Sequence, residues 1–508
     1  MKKPVLTRRD FLLRFGAMSG SGLAFGAMDA WELVGQPAGA RPDLPPLTRA
    51  SSVLVLGAGI SGMAAALELG KLGYDVKVLE ARNRVGGLNH TIRRGTEETD
   101  LDGVRQVAAF DEGMYFNSGP WRIPNTHTGL LGYCKELGVP LQIFVNEHDN
   151  GILYYEGEQY GALSGKKLRL REVKADLRGH TAELLAKAVD QRSLDLPVTG
   201  EDVDKLVAYL VGEGYLSNAD HVYRANRARG DGDPHDLTSL LRAGFASRVR
   251  SVDQPGLMRA PMFQPVGGMD QIPMAFARAL GNRITLNAEV ESVLQSESGV
   301  KVVYRNTVNG RKTELSANYV LCCLPFTILK KLDVNFSPEM KATVAGVTHS
   351  ASSKIGLQMK RRFWEEDEGI FGGQAYTNVG VGSFAYPSND FFAKKGILLG
   401  FYGSATTGGL LEKSNAERIQ YVLDNASRFH PQMKAEFETG YAKFWPKVKY
   451  SEGAYASTAT ALIPRLTQPD GRIYLGSAAL STEPGWQEGA ISAAWGTVKR
   501  LHERVMAS

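Results

Sequence analysis

Residues 51–87 leave little choice of fold. Val53, Leu54, Val55 and Leu56 make a short apolar run, rich in β-branched residues, that reads as a buried parallel strand. Gly57-Ala58-Gly59-Ile60-Ser61-Gly62 follows at once, and residues 63–69 are good helix formers with small side chains on one side. After Gly73, Asp75-Val76-Lys77-Val78-Leu79 reads as a second strand, and it ends on Glu80. In such a βαβ unit each glycine has its own task. Gly57 makes the tight turn, Gly59 lets a pyrophosphate approach the backbone, and Gly62 lets helix and strand pack closely. The free N–H groups and the dipole of the helix start suit phosphate, and a carboxylate at Glu80 suits ribose hydroxyls. A lone G-x-G-x-x-G is a weak signal. Strand, helix, second strand and terminal Glu together make a dinucleotide site the expected reading.

A chain of 508 residues is too long for one simple core, so two or three domains are expected. With 43% hydrophobic and 22% charged residues it can bury a large core. Its 59 basic and 54 acidic residues leave +5, which gives no argument for nucleic acid. Cys134, Cys322 and Cys323 cannot build a disulfide framework. The neighbours Cys322 and Cys323 sit in an apolar run and read as packing residues, and no metal site is expected.

The first forty residues read as an address. Thr7-Arg8-Arg9-Asp10-Phe11-Leu12 is a twin-arginine signature behind Lys2 and Lys3, and residues 15–30 are small and apolar. This resembles a Tat export signal, which implies the Tat machinery as a partner and a periplasmic or secreted location. The apolar part is too short and glycine-rich for a comfortable membrane span, and Ala38-Gly39-Ala40 offers a cleavage site. A proline-rich linker, residues 41–49, leads into the βαβ unit.

Directly after Glu80 comes Ala81-Arg82-Asn83-Arg84-Val85-Gly86-Gly87-Leu88. Strand, G-x-G-x-x-G, terminal Glu and Arg-x-Gly-Gly in that order resemble the flavin amine oxidase superfamily, whose members bind FAD. Further on, Gly119-Pro120-Trp121-Arg122-Ile123-Pro124 is similar to the L-amino acid oxidases within it. That resemblance implies that Arg122 lies over the flavin and clamps the substrate carboxylate, for which a planar guanidinium is well suited. It also implies that Lys354 holds a water near flavin N5 and that Tyr402 and Trp486 flank the substrate beside Gly485. Pro484-Gly485-Trp486-Gln487-Glu488-Gly489-Ala490 opens the last helix, and the resemblance implies that its start faces the flavin ring and favours its reduced, anionic form.

The FAD contacts that the resemblance implies are Gly57, Gly59, Ile60, Ser61, Gly62, Glu80, Ala81, Arg82, Gly86, Gly87, Leu88, Gly119, Pro120, Trp121, Arg122, Val290, Gly476, Ser477, Gly485, Trp486, Gln487 and Ala490. Two of these depart from the family pattern. Many relatives carry an arginine where Leu88 stands and an acidic residue where Ser477 stands, which bears on FAD affinity rather than on FAD identity.

The fold implied is α/β (α+β mixed), with a Rossmann-like FAD-binding domain of the glutathione-reductase/amine-oxidase type, a substrate-binding sheet domain and a helical insertion. Residues 41–130, 261–345 and 451–508 are expected to supply the FAD domain, residues 131–260 and 346–450 the substrate domain. Residues 141–145 and 152–155 read as a hairpin turning at Asp149-Asn150-Gly151. Asp233 reads as the cap of a helix with Pro234 in its first position, and Lys354 begins an alternating strand.

The expected activity is FAD-dependent oxidation of an L-amino acid, with dioxygen as acceptor and a 2-oxo acid, ammonia and hydrogen peroxide as products. Lys354, Arg122, Tyr402 and Trp486 are its catalytic candidates. Rivals of the same fold are an amino-acid 2-monooxygenase and an amine oxidase. A non-catalytic flavin-binding protein is a rival of another class. Relatives often dimerise, so a homodimer is expected.

Overall fold

The computed structural model describes residues 41–190, 200–224, 229–230, 232–253 and 261–507. The expected export signal, residues 1–40, lies outside the described residues.

The apolar runs of the sequence come together in one five-stranded parallel sheet, in the order Ile284–Thr285, Asp75–Leu79, Ser52–Leu56, Tyr319–Cys322 and Ile473–Leu475. Val53 and Val55 point into one core with the Ile60–Lys71 and Gln487–Ala507 helices, and Leu54 and Leu56 into another, beneath a smaller sheet. Burial on both faces explains why these strands read as continuous apolar runs without alternation. The smaller sheet holds Ala288–Gln295, Val300–Asn306 and Lys312–Ala317 as an antiparallel meander, with Asp333–Val334 at its edge.

A seven-stranded sheet faces the parallel one across a large cavity. Its order is Leu168–Arg169, Ile152–Tyr154, Gln374–Thr377, Phe384–Ala385, Gly396–Ser404, Ser352–Met359 and Phe437–Phe444. The Ser352–Met359 strand is flanked on both sides by long antiparallel partners, and all eight of its residues are buried. Its alternation therefore does not separate a wet face from a dry one. Lys354 lies inside the sheet, opposite Tyr402 on one neighbour and Lys443 on the other, and is 3% exposed.

Two local expectations are corrected. The hairpin turning at Asp149-Asn150-Gly151 does not form. Leu141–Phe144 pairs with Met262–Pro265, while Ile152–Tyr154 joins the seven-stranded sheet between Leu168–Arg169 and Gln374–Thr377. All three residues of Ile152–Tyr154 are buried there, a gain that a two-stranded hairpin cannot match. The helix expected to open at Pro234 instead starts at Leu237, capped by Asp236, whose carboxylate accepts the Ser239 N–H at 2.9 Å. Asp233 and Pro234 precede it in irregular chain. With Leu170–Asp190, Gly200–Gly214 and Phe245–Asp253 it makes up the helical part. Among the described residues no helix is long and apolar enough to cross a membrane.

Candidate functional site

A cavity of about 1310 Å³ runs from the carboxyl ends of the parallel strands to the face of the seven-stranded sheet. That is where open α/β sheets bind ligands, and the volume exceeds the roughly 300–1,000 Å³ of a single small-ligand pocket.

At the sheet end the glycines act as their positions require. Gly57 has φ +96°, a value that only glycine adopts without strain, and its N–H donates to the Leu79 carbonyl at 2.8 Å. A Cβ on Gly62 would strike the Gly57 carbonyl, whereas one on Gly59 would meet nothing within 4 Å and would project into free space. Gly59 caps the Ile60–Lys71 helix without a side-chain bond, and no acidic residue occupies the first turn. The amides of that turn and their dipole are thus open to an anion. The Arg-x-Gly-Gly segment lies directly alongside, with the Gly86 N–H on the Ala58 carbonyl at 2.7 Å and Gly59 bridged to Gly86. Glu80 is buried, and its carboxylate is oriented by the N–H groups of Ala58 at 2.9 Å and Arg82 at 3.0 Å. Arg82 reaches past it to the Lys449 carbonyl at 2.6 Å and the Ser451 hydroxyl at 2.8 Å, and burial lowers its basicity.

The other residues expected at FAD are placed as follows. Ile60, Ser61, Ala81, Gly87, Leu88, Gly119, Pro120, Val290, Ser477, Gly485, Gln487 and Ala490 line the same cavity. Gly62 and Gly476 do not reach its surface. Gly62 is packed on Gly57, and Gly476 stands behind Ser61, whose hydroxyl donates to the Gly476 carbonyl. Leu88 presents an apolar wall, and the Ser477 hydroxyl accepts the Ala479 N–H at 3.3 Å. An elongated cavity with an uncapped helix start, a bare glycine turn and an oriented carboxylate fits a dinucleotide.

The far end is built by the loop before the short Ile123–Pro124 strand. A Cβ on Gly119 would strike the Leu88 carbonyl, so the loop lies directly on the flavin-side segment. The Ser118 hydroxyl donates to the His90 carbonyl at 2.7 Å, and Trp445 Nε1 donates to the Ser118 carbonyl at 2.9 Å. Trp121 and Arg122 are thereby fixed in the wall. The Arg122 guanidinium lies 4.8 Å from the Trp121 ring centre and 6.0 Å from that of Trp486. Its Nη1 donates to the Asn146 side-chain oxygen, its buried Nε has no partner, and among the described residues it forms no ion pair. Burial pushes its pKa down, yet a guanidinium stays charged under any physiological condition.

Lys354 Nζ donates to the Gly119 carbonyl and lies 4.6 Å from the Tyr402 ring centre and 5.2 Å from that of Trp121. Burial, and after it the Arg122 charge, hold its pKa well below the ordinary lysine value. Burial likewise raises the Tyr402 phenol, which keeps its proton. Tyr402 packs edge-on to Trp121 at 6.1 Å, on the wall that carries Lys354.

Three residues of this end escaped the sequence reading. His127 stands edge-on to Trp486 at 5.0 Å, its Nε2 is buried without a hydrogen-bond partner, and burial pushes its pKa down to about 4. Thr458 lines the cavity with an unpartnered hydroxyl. Asn146 holds Arg122. His127 follows Arg122 by five residues, a proximity that could have flagged it. Asn146 and Thr458 come from distant segments and left no local signal.

The model of the family described as flavin containing amine oxidoreductase matches residues 60–502. The chain belongs to the flavin-containing amine oxidoreductases. It is an oxidoreductase, and FAD is its cofactor. Its relatives include an L-amino-acid oxidase of Echis ocellatus, 27% identical over 477 residues that cover 89% of each chain. Another, of Siganus canaliculatus, is 26% identical over 481 residues, covering 91% of this chain and 87% of the relative. Among solved structures, cyclohexylamine oxidase from Brevibacterium oxydans superposes with a TM-score of 0.60 at 19% identity, over 90% of this chain and 99% of that one. Putrescine oxidase bound to putrescine gives 0.58 at 22% identity, over 91% and 100%. These structures share the fold of this family member.

Proposed function

We propose that the chain oxidises an L-amino acid to its imino acid, which hydrolyses to a 2-oxo acid and ammonia, with dioxygen as acceptor and hydrogen peroxide as product. The observation that carries this reading is Arg122, a half-buried arginine in the cavity wall whose hydrogen-bond partner is a neutral amide and which forms no ion pair among the described residues. A substrate carboxylate supplies the missing charge, whereas a simple amine does not. The L-amino-acid oxidases among the relatives support the same substrate class.

Bound FAD supplies the acceptor for the Cα hydride. The protein contributes position and charge. Arg122 anchors the carboxylate, Trp121 and Tyr402 form one aromatic wall, and Trp486 and His127 form the other. Lys354, whose pKa burial lowers, is the amine placed nearest to take the proton that the substrate ammonium must lose. His127, neutral at pH 7, adds no charge that would compete with Arg122. The twin-arginine segment supports export, so the peroxide would form outside the cytoplasm.

The test is peroxide release by the purified holoprotein across the twenty L-amino acids, with ammonia and carbon dioxide followed in parallel. Peroxide with equimolar ammonia is expected for at least one of them. Carbon dioxide with little peroxide would mean a monooxygenase, and turnover of amines alone would mean that Arg122 reads no carboxylate.

A further inference from the structure

A second cavity of about 490 Å³ lies beside the first, and the two share Ala81, Arg82, Lys449 and Tyr450 as a common wall. The residues around it carry more positive charge than they neutralise. Lys443 is paired with Glu98, Lys447 with Asp102, Glu97 with Arg105 and Arg82 with Glu80. Among the described residues, Arg84, Arg418 and Lys449 have no carboxylate at ion-pair distance. The opposing group is Asp100, whose carboxylate accepts the N–H groups of Asp102 and Val104 at 2.9 Å. Three cations against one carboxylate leave an excess of two positive charges.

Two of these cations are held in place by neutral groups. Arg418, 4% exposed, donates to the carbonyls of Leu410 at 2.8 Å and Leu411 at 2.7 Å and to the Asn415 side chain at 2.8 Å, and it stacks 3.9 Å from the Phe444 ring centre. Arg84 uses Nη1 on the Gly87 carbonyl at 3.0 Å and the Val85 carbonyl at 3.3 Å, while its Nη2 is buried with no acceptor. Arg84 and Arg418 line the second cavity and not the first. Glu98 is held by Lys443, and even with that amine partly deprotonated near neutral pH the excess stays above one positive charge.

We propose that this second cavity binds a phosphate group, with Lys449 as its hydrogen-bond donor and the fixed charges of Arg84 and Arg418 behind it. A phosphomonoester carries about −1.5 to −2 charges at neutral pH, which matches the excess, and its three terminal oxygens are strong acceptors. The cavity is larger than a bare phosphate needs, so inorganic phosphate and a small phosphomonoester share the recognising chemistry. Because Arg82 and Lys449 also line the FAD cavity, occupancy is coupled to how firmly the flavin is held.

Inorganic phosphate and glycerol phosphate, titrated calorimetrically into the holoenzyme at ionic strength held constant with chloride, test this. One saturable site per chain is expected, weakened at least tenfold by Lys449→Gln and by Arg84→Gln and unchanged by Arg122→Gln. Tighter binding of glycerol phosphate supports the site with a phosphomonoester as its natural occupant, and tighter binding of inorganic phosphate supports it with the free ion. Lys449 is exposed, so Lys449→Gln serves if Arg84→Gln does not fold. No saturable binding in the wild type, or equal binding in Lys449→Gln, overturns the proposal.

Discussion

At the scale of single residues, the site is an arrangement of charges that water no longer screens. Lys354 and Arg122 share a wall, and the Arg122 charge is one of the two causes that depress the Lys354 pKa. A carboxylate on Arg122 removes that cause, so the Lys354 pKa must rise when substrate binds. Binding of the unreactive carboxylate benzoate is therefore expected to take up protons from solution over the pH range in which Lys354 titrates. Buffers of different ionisation enthalpy measure this by calorimetry, and Lys354→Met should abolish the uptake; equal uptake in the variant would assign the proton elsewhere. Lys443, next to Lys354 across the sheet, gives a stability test. Burial brings its pKa down to about 7, against about 10.4 in an unfolded chain. Between those values the unfolded state binds more protons, so stability rises with pH across that window. Urea unfolding at a series of pH values should show that slope, and Lys443→Met should flatten it. Arg122 was legible in the sequence because a Gly-Pro-Trp-Arg-Ile-Pro loop is a local pattern. The burial of Lys354 was not, because it follows from two strands that arrive from elsewhere in the chain.

At the scale of elements, the βαβ unit carries its own instructions. The Ile60–Lys71 helix sits close to its strand because Gly62 presents no Cβ to the Gly57 carbonyl. Gly62→Ala is expected to push the helix off, at a cost of about 1–3 kcal/mol typical of overpacking, and to move the open amides of the helix start. The variant should purify with substoichiometric FAD, measured by the flavin absorbance per chain; full flavin content would show that the helix start tolerates the shift. All of this was readable from spacing, because strand, turn and helix are contiguous. The hairpin expected at Asp149-Asn150-Gly151 shows the opposite case. Its turn residues suit a hairpin, but turn preference is local, and burial in the seven-stranded sheet decides where Ile152–Tyr154 pairs.

At the scale of the molecule, the parallel sheet is assembled from strands far apart in sequence, and its carboxyl ends face the second sheet across one cavity. On the proposed reading, FAD chemistry and substrate recognition meet where the two layers meet, and neither layer alone has both. The family resemblance made this architecture legible; the pattern of single strands did not, since it cannot say which distant segments become neighbours. The account stands most directly on one comparison: anaerobic stopped-flow reduction of the flavin by an accepted L-amino acid and by the amine that lacks only its carboxylate. In the wild type the amino acid should bleach the flavin and the amine should be far slower. In Arg122→Ala the amino acid should lose about 2–5 kcal/mol of binding, at least about thirty-fold in the apparent affinity, while the amine is little changed. An amine that bleaches the wild-type flavin as fast as the amino acid, or an Arg122→Ala variant that keeps the wild-type preference, would contradict it.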